Sequence, residues 1–486
     1  MIMRFSRTDL RIAFRDLGTL LQFASVFFLI PILLVVLFNE TASHFWAFLL
    51  PAIACFALGR TLFNSNRVHG ETNVRHVLVV SALGWALLAL FAAVPLMSAG
   101  RLSFSSAVFE AMSALTTTGL SVVPNVDLLP QSVLLWRSLL GWIGGLATIT
   151  LCVLGVLAGY SKALSALKHS GRVESVRNNL HYAVRHVFKA YGFITVLGVV
   201  LLLLAGMGIL DAVNYSLNAV SLTGFSLSSA GILGFNSRFI EAIIVLLSLL
   251  GATSVFTLVA ATNRKSLLPF ASDGQFKWTI GIGVIAAGLL VSGFLSLPLM
   301  FKQGIEYSLF SAGSAVTTSG FSLLHPIANA AGDLAKLLLI LLMLVGGSMA
   351  SAAGGIKIGR LGVLIKSFFS RASGRPKSPH AGSVHFDGHE FSREEVGEIG
   401  RFVVLYLLVA LAGTLLLVFV GNNLGDSVFE AVAALGNSAF SSGITNATMP
   451  LVSKMALMLL MWIGRLEILP LLAGFGLLLS MHEIRK

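Results

Sequence analysis

Four short segments set hydroxyl side chains beside a glycine, or an alanine in its place, at one shared offset. They read Phe109-Glu-Ala-Met-Ser-Ala-Leu-Thr-Thr-Thr-Gly119, Asn214-Tyr-Ser-Leu-Asn-Ala-Val-Ser-Leu-Thr-Gly224, Phe310-Ser-Ala-Gly-Ser-Ala-Val-Thr-Thr-Ser-Gly320 and Phe429-Glu-Ala-Val-Ala-Ala-Leu-Gly-Asn-Ser-Ala439, and they align without gaps. What such segments offer is oxygen. A cation stripped of its water needs oxygen ligands, and backbone carbonyls supply them without the deep trap of full charges. Aiming consecutive carbonyls at one axis requires backbone conformations that glycine enters cheaply. The candidate ion-binding residues are therefore Thr117, Thr118 and Gly119, then Leu222, Thr223 and Gly224, then Thr318, Ser319 and Gly320, and finally Asn437, Ser438 and Ala439. The ion itself belongs at Thr118, Gly119, Thr223, Gly224, Ser319, Gly320, Ser438 and Ala439, with Thr317 as a further ligand or brace. The fourth segment departs from the other three, because alanine in a left-handed conformation costs about 1–2 kcal/mol. Either the Ala439 carbonyl points differently and this unit contributes less, or Gly436 or Gly443 takes the role through a shift of register.

These segments need elements to hold them. About ten residues precede each glycine position, too few to cross a hydrocarbon core. Each segment lies between two long apolar stretches, which makes it a half-helix that enters a membrane and turns back. Non-helical backbone is tolerated at that depth only where protein buries it or a watery path borders it. Four units of span, half-helix, loop and span cross twice each, so they share one orientation and can surround one axis. The negative C-terminal end of each half-helix then favours a cation. Glu110 and Glu430 are expected near the starts of their half-helices, complementing the dipole there. Apolar stretches near 18–38, 44–63, 76–98, 133–159, 187–209, 239–262, 277–300, 334–350, 399–420 and 452–480 supply the spans. The fold class is an all-α polytopic membrane protein.

Composition agrees. Of 486 residues, 56% are hydrophobic and 11% charged, where a soluble domain usually carries about a quarter charged residues. The net charge of +12 collects between alternate spans, at Arg60, Arg67 and Arg75, from Lys162 to Lys189, at Arg264, Lys265 and Lys277, and from Lys357 to Arg401. By the positive-inside rule both termini face the cytoplasm. That distribution accounts for the charge and leaves no case for nucleic-acid binding. No small-residue cleavage site follows the first span, so it is expected to stay as an anchor. Cys55 and Cys152 each lie in an apolar span, too few for a disulfide framework or a zinc site.

The stretch Gly346-Gly-Ser-Met-Ala-Ser-Ala-Ala-Gly-Gly355 interrupts a long apolar run. Interior glycine costs a helix about 1 kcal/mol relative to alanine, so Gly346, Gly347, Ser348, Gly354 and Gly355 predict a break rather than a packing face. Lys357 follows directly and would repel a cation on the axis. Arg465 and Glu467 lie within an apolar span, where charges face partners or a water-filled path; an ion pair between helices is the plainer alternative. The polar segment from Ser370 to Ser392 reads as a cytoplasmic connector, and its His380, His385 and His389 lack a regular ligand spacing. No His-Glu-x-x-His motif and no phosphate-binding Gly-x-x-x-x-Gly-Lys loop is present, so an intramembrane enzyme is not supported and any ATP dependence belongs to a partner.

Nearly the whole chain resembles the membrane subunits of Trk-type potassium uptake systems (the TrkH family), within the Trk/Ktr/HKT superfamily. The resemblance rests on Leu115-Thr-Thr-Thr-Gly119, Trp136-Arg137, Gly141-Trp-Ile-Gly-Gly145, Gly346-Gly-Ser-Met-Ala-Ser-Ala-Ala-Gly-Gly-Ile-Lys357 and Gly464-Arg-Leu-Glu467. It implies four pore units plus an N-terminal helix pair: a pair over 1–70, units over 71–165, 166–266, 267–372 and 397–486, and a cytoplasmic linker over 373–396. It also implies potassium as the transported ion with no organic cofactor, Gly346 to Lys357 as an intramembrane gating loop, and Arg465 projecting toward that loop. A homodimer in the bacterial inner membrane with a TrkA-type nucleotide-binding regulatory subunit completes the expectation. Because of Ala439, a sodium-permeable or sodium-coupled symporter of the same fold is the alternative.

Overall fold

The computed structural model describes residues 5–68, 70, 72–157, 180–294, 301–323, 332–372 and 383–467. The basic run from Lys162 to Arg177, His380 and the last apolar stretch beyond Glu467 lie outside the described residues. Helix α1 (Arg7–Ser25) continues through a 3-10 turn into α2 (Ile30–Leu37), and α3 (Ala42–Ser65) returns beside it. They cross at Gly18 and Gly59: a Cβ on Gly18 would stand 2.6 Å from the Gly59 carbonyl oxygen, and one on Gly59 2.7 Å from that of Gly18. In a membrane, where lipid is as apolar as leucine, such close backbone packing is what holds helices together.

The first unit has α4 (Val74–Ser98), the half-helix α5 (Phe104–Leu115) and α6 (Gln131–Leu157). The second has α7 (Leu180–Leu204), the half-helix α8 (Ile209–Ser221), and α9 (Arg238–Gly251) followed by α10 (Val255–Arg264). After the short α11 (Leu268–Ser272), the third has α12 (Gly274–Phe294), α13 (Phe301–Val316), α14 (Gly332–Val345) and α15 (Ile358–Ala372). The fourth has α16 (Arg393–Phe419), the half-helix α17 (Leu424–Leu435) and α18 (Leu451–Leu466). Among the described residues, 7 helices are long and apolar enough to cross a membrane, or 8 if α9 and α10 count as one. That bent pair corrects the single span expected over 239–262, since the chain turns by 104° between Gly251 and Val255. The cause is the partner it finds there, the glycine-rich segment after α14.

The half-helices α5 and α17 start at polar caps. Ser103 accepts from the Ser106 amide at 3.4 Å and Asn423 from the Asp426 amide at 2.8 Å, satisfying N–H groups that have no partner within the helix. The indoles of Trp85 and Trp136 donate to the carbonyls of Leu115 and Ala92, each at 3.1 Å, fixing α4, α5 and α6 to one another.

The polar segment before α16 is more than a connector. Strands β1 (Val384–Phe386) and β2 (His389–Phe391) pair antiparallel, with Val384 opposite Phe391 and Phe386 opposite His389. Asp387 (φ 53°) and Gly388 (φ 79°) form the tight turn, the positive-φ pair that suits the twist of a two-residue hairpin. Val384, Phe386 and Phe391 pack with Val363, Val396 and Ile399, so the hairpin seats between α15 and α16. Asp387 also accepts from the Gly274 amide at 2.9 Å, at the start of α12.

The crossing of α1 and α3 makes a direct prediction. Gly59→Leu overpacks it, at a cost of about 1–3 kcal/mol. The melting temperature of the detergent-solubilised protein should fall, whereas Gly192→Ala, inside α7 where a Cβ meets nothing within 4 Å, should not lower it.

Candidate functional site

Each half-helix ends in the same hydrogen-bonded turn. The amides of Thr117, Leu222, Thr318 and Asn437 donate to the carbonyls of Ala114, Ala219, Ala315 and Ala434, three residues back. The next amides, of Thr118, Thr223, Ser319 and Ser438, donate to Ser113, Asn218, Ser314 and Ala433, five residues back. This is the Schellman ending, whose pivot residue adopts the left-handed conformation. Thr117 (φ 52°), Leu222 (63°), Thr318 (61°) and Asn437 (49°) all do so, although none is glycine. Non-glycine residues held in that region cluster at sites where the surroundings over-determine the backbone. Sequence reasoning placed these four among the ligands and missed their role as pivots.

The equal registers answer one question left open by the sequence. Gly436 does not replace Ala439 through a shift, because the fourth loop keeps the bonds of the other three and Gly436 is helical (φ −77°). Gly443 is left-handed (φ 97°) but lies four residues beyond Ala439.

Hydroxyls brace three of the loops in the same way. Thr116 and Thr118 share a hydrogen bond of 2.8 Å, Ser221 and Thr223 one of 2.7 Å, and Thr317 donates to Ser319 at 3.3 Å. In the fourth loop glycine stands where the first hydroxyl would be, and the buried Ser438 hydroxyl has no partner among the described residues. Asn437 substitutes a bridge between units, donating to Thr118 Oγ1 and to the Met461 carbonyl, both at 3.0 Å.

The loops close on one another. A Cβ on Gly119 would fall on the Thr223 carbonyl oxygen (1.7 Å), one on Gly224 on that of Ser319 (1.9 Å), and one on Gly320 on the Ala439 amide nitrogen (2.0 Å). Only glycine permits these approaches, so the three loop glycines serve packing between the loops as well as backbone conformation. The twelve candidate residues from Thr117 to Ala439 are thus brought together at one place, and all are buried. Among the described residues no cluster of His, Cys, Asp or Glu could hold a metal ion. An ion here would meet carbonyl and hydroxyl oxygen.

Glu110 and Glu430 are not dipole caps. Each is the seventh residue of its half-helix, and its carboxylate reaches forward to the chain just past the loop. Glu110 accepts from Ser121 Oγ (2.9 Å) and the Val122 amide (3.0 Å), and Glu430 from Ser441 Oγ (2.9 Å) and the Ser442 amide (2.7 Å). The same brace thus appears in units one and four. In unit one Arg137 completes it with a salt bridge of 2.7 Å, both partners being almost wholly buried. Arg137 also lies over the Phe225 ring, 4.1 Å from its centroid, so one guanidinium ties the first loop to the second. Outside the membrane-spanning helices, Ser229 donates its hydroxyl and its amide (3.0 Å) to Asp127 and holds that carboxyl below the usual range.

The break after α14 is as expected, and it lies directly against the loops. Gly346 (φ 69°), Ala350 (55°), Gly355 (74°) and Lys357 (81°) turn the chain back on itself. Gly354 donates to Thr318 Oγ1 at 2.9 Å, and a Cβ on it would stand 1.9 Å from the Gly436 carbonyl oxygen. Ser348 and Ala352 donate to the carbonyls of Ala252 and Gly251, and Val255 donates to that of Ala350, which is why α9 and α10 part there. Gln275, at the start of α12, accepts from the Met349 amide at 2.9 Å. Gly347 packs against Ala252, where a Cβ would come within 3.0 Å.

The two charged residues at the end of α18, Arg465 within it and Glu467 just past it, separate. Arg465, buried, donates to the Ala352 carbonyl at 2.8 Å, while its Nε and Nη2 lack partners among the described residues. Glu467 pairs instead with Arg360 at 2.7 Å. The ion pair between helices is therefore found for Glu467, which joins the end of α18 to α15, and not for Arg465. The Lys357 ammonium turns back onto the Ala353 carbonyl within its own segment. Residues that the sequence reading did not single out are Gln275, which holds Met349, and Arg360, which holds Glu467. Their only sequence signal is polarity at the end of an apolar span.

Arg137→Met leaves the Glu110 carboxylate buried without its counter-charge, which costs about 3–5 kcal/mol. Size-exclusion chromatography and melting should show loss of the folded monodisperse species. The double variant Glu110→Gln with Arg137→Met should recover most of it.

Comparison with known proteins follows this geometry. The TrkH family, described as a cation transport protein, matches residues 44–482. An uncharacterized cation transporter of Methanocaldococcus jannaschii is 30% identical over 483 residues, covering 98% of both chains. The Trk system potassium uptake protein TrkH of Halomonas elongata is 30% identical over 96% of this chain and 98% of its own. That of Escherichia coli is 27% identical over 95% and 97% respectively. The crystal structure of the potassium transporter TrkH from Vibrio parahaemolyticus superposes with a TM-score of 0.83 at 25% identity, over 95% of this chain and 97% of that one. With its mostly helical fold and repeated membrane crossings, this chain belongs to the TrkH family of cation transport proteins, a family of multi-pass membrane transporters and not of enzymes.

Proposed function

We propose that the chain carries potassium ions across the cytoplasmic membrane into the cell, through a filter made by the four loops. The observation that carries this reading is the four-fold recurrence of one hydrogen-bonded turn, with its loops closing on each other at Gly119, Gly224, Gly320 and Ala439. Such a ring offers oxygen ligands where the half-helix C-termini already favour a cation. The names of the relatives, potassium uptake proteins in Halomonas elongata and Escherichia coli, supply the ion. Both termini lie in the cytoplasm by the distribution of basic residues.

The segment Gly346–Lys357 is the gate in this reading. It is non-helical, sits against Thr318 and Gly436, and is held by one donor from Arg465. Releasing that donor frees the Ala352 carbonyl and leaves the segment held by amide bonds to Gly251 and Ala252. Two copies of the chain assemble, one pathway in each, and a cytosolic nucleotide-binding subunit of the TrkA type acts on the gate from the side of the basic loops. The second reading, a sodium-permeable or sodium-coupled symporter, keeps its one supporting observation in Ala439, whose backbone is not left-handed as the three glycines are.

Expression in a potassium-uptake-deficient bacterium, together with a matching regulator, should restore growth at low potassium. Gly119→Ser, which puts a side chain where the Thr223 carbonyl stands, should abolish the rescue at equal surface expression. Absence of rescue by the unaltered chain at the membrane would overturn the assignment. Arg465→Ala should raise rubidium uptake in the absence of the regulator, because the gating segment loses its buried anchor; unchanged flux would remove Arg465 from the gate.

A further inference from the structure

The four loops share their register through Ser438 and its counterparts, and diverge at the next residue. Gly119 (φ 76°), Gly224 (70°) and Gly320 (70°) are left-handed, whereas Ala439 is not. The order of contact fixes the geometry of the ring. Gly119 lies against Thr223, Gly224 against Ser319, and Gly320 against Ala439, so the units run one to four around it and unit two faces unit four. The position of the Ala439 methyl follows from its distance to the other three. A Cβ on Gly119 would lie 2.7 Å from it, one on Gly224 2.8 Å, and one on Gly320 2.6 Å. Closeness to a neighbour in the ring is ordinary. Equal closeness to Gly224, on the opposite side, is not, because a group near the rim of the ring cannot touch the far side. The methyl stands at the centre.

We propose that the Ala439 methyl is a constriction on the conduction axis and sets both the rate and the cation preference of this transporter. The inference rests on the reading of the four loops as a filter. At the glycine level three loops present their backbone in one conformation and the fourth presents saturated carbon, which has no lone pair to give. At that level a cation on the axis meets carbon in place of an oxygen ligand. Carbon atoms in contact sit about 3.5–4.0 Å apart, so a methyl within 2.8 Å of where a Cβ on each of the three glycines would stand leaves no room for an ion centred among four ligands. Passage then requires the fourth loop to shift at every transit. Asn437 anchors the base of this loop to Thr118 and Met461, so the shift falls on the residues beyond it, where Gly436 supplies no hydroxyl brace and the Ser438 hydroxyl is without a partner among the described residues. Selection by ligand number weakens with it, since discrimination between potassium and sodium depends on how many carbonyl dipoles surround the ion.

The test compares Ala439→Gly, Ala439→Val and Gly320→Ala with the unaltered chain, all reconstituted in liposomes at matched protein content. Rubidium uptake and reversal potentials in opposed potassium and sodium gradients are the readouts. Ala439→Gly should raise uptake about tenfold, equivalent to about 1.4 kcal/mol off the barrier, and should move the reversal potential toward that of potassium. Ala439→Val should stop uptake in a protein that still elutes as a folded species. Uptake and reversal potential unchanged in Ala439→Gly, with Gly320→Ala inactive, would overturn the inference while the filter reading stands. Normal transport by Gly320→Ala would overturn the filter reading itself. Should Ala439→Gly prove unstable, Ala439→Val decides alone, because normal uptake through a bulkier side chain contradicts a constriction at this place.

Discussion

Backbone that is neither helix nor sheet has to find partners for its amides and carbonyls, and at membrane depth only protein can provide them. Everything in this chain answers that constraint at four places. The spans shield the loops from lipid, and the Schellman endings use up the amides that open each loop. The carboxylates of Glu110 and Glu430 then take the amides on the far side, at Val122 and Ser442. A carboxylate is costly to bury, so it holds these turns firmly only because donors surround it. Once the amides are spent in this way, oxygen is the remaining polar surface. A site that suits a cation is the residue of satisfying the backbone.

The same constraint explains the segment between α14 and α15. Its amides go to Gly251, Ala252 and Gln275, and the break between α9 and α10 exists to receive them. A non-helical segment in unit three and a bend in unit two are therefore one structural feature seen from two sides. Gln275 is adjacent to Gly274, whose amide is held by Asp387 of the hairpin. The hairpin is thus joined to the glycine-rich segment through two neighbouring residues at the start of α12.

Much of this was legible in the sequence, and what was not has physical reasons. The four segments could be aligned by residue type because Gly119, Gly224 and Gly320 each have a steric necessity, a neighbouring carbonyl or amide where a Cβ would stand. The break at Gly346 to Gly355 could be read because glycine is a poor helix former wherever it occurs. Glu110 and Glu430 were misplaced because their partners lie eleven and twelve residues ahead across a loop, and no local pattern encodes that reach. The bend at Gly251 escaped because its cause is a segment about a hundred residues away. The hairpin should have been found: Val384-His-Phe-Asp-Gly-His-Glu-Phe391 alternates around Asp-Gly, a strong turn signal that the search for membrane spans passed over.

The central claim is that the four loops enclose a line of cation sites on one axis. Anomalous diffraction from crystals grown in thallium or rubidium measures this directly. The account predicts peaks on the axis at the level of Thr118, Thr223, Ser319 and Ser438, with little or none at the ring of Gly119, Gly224, Gly320 and Ala439. Well-ordered loops with no axial peak, and ions bound elsewhere in the protein, would contradict it.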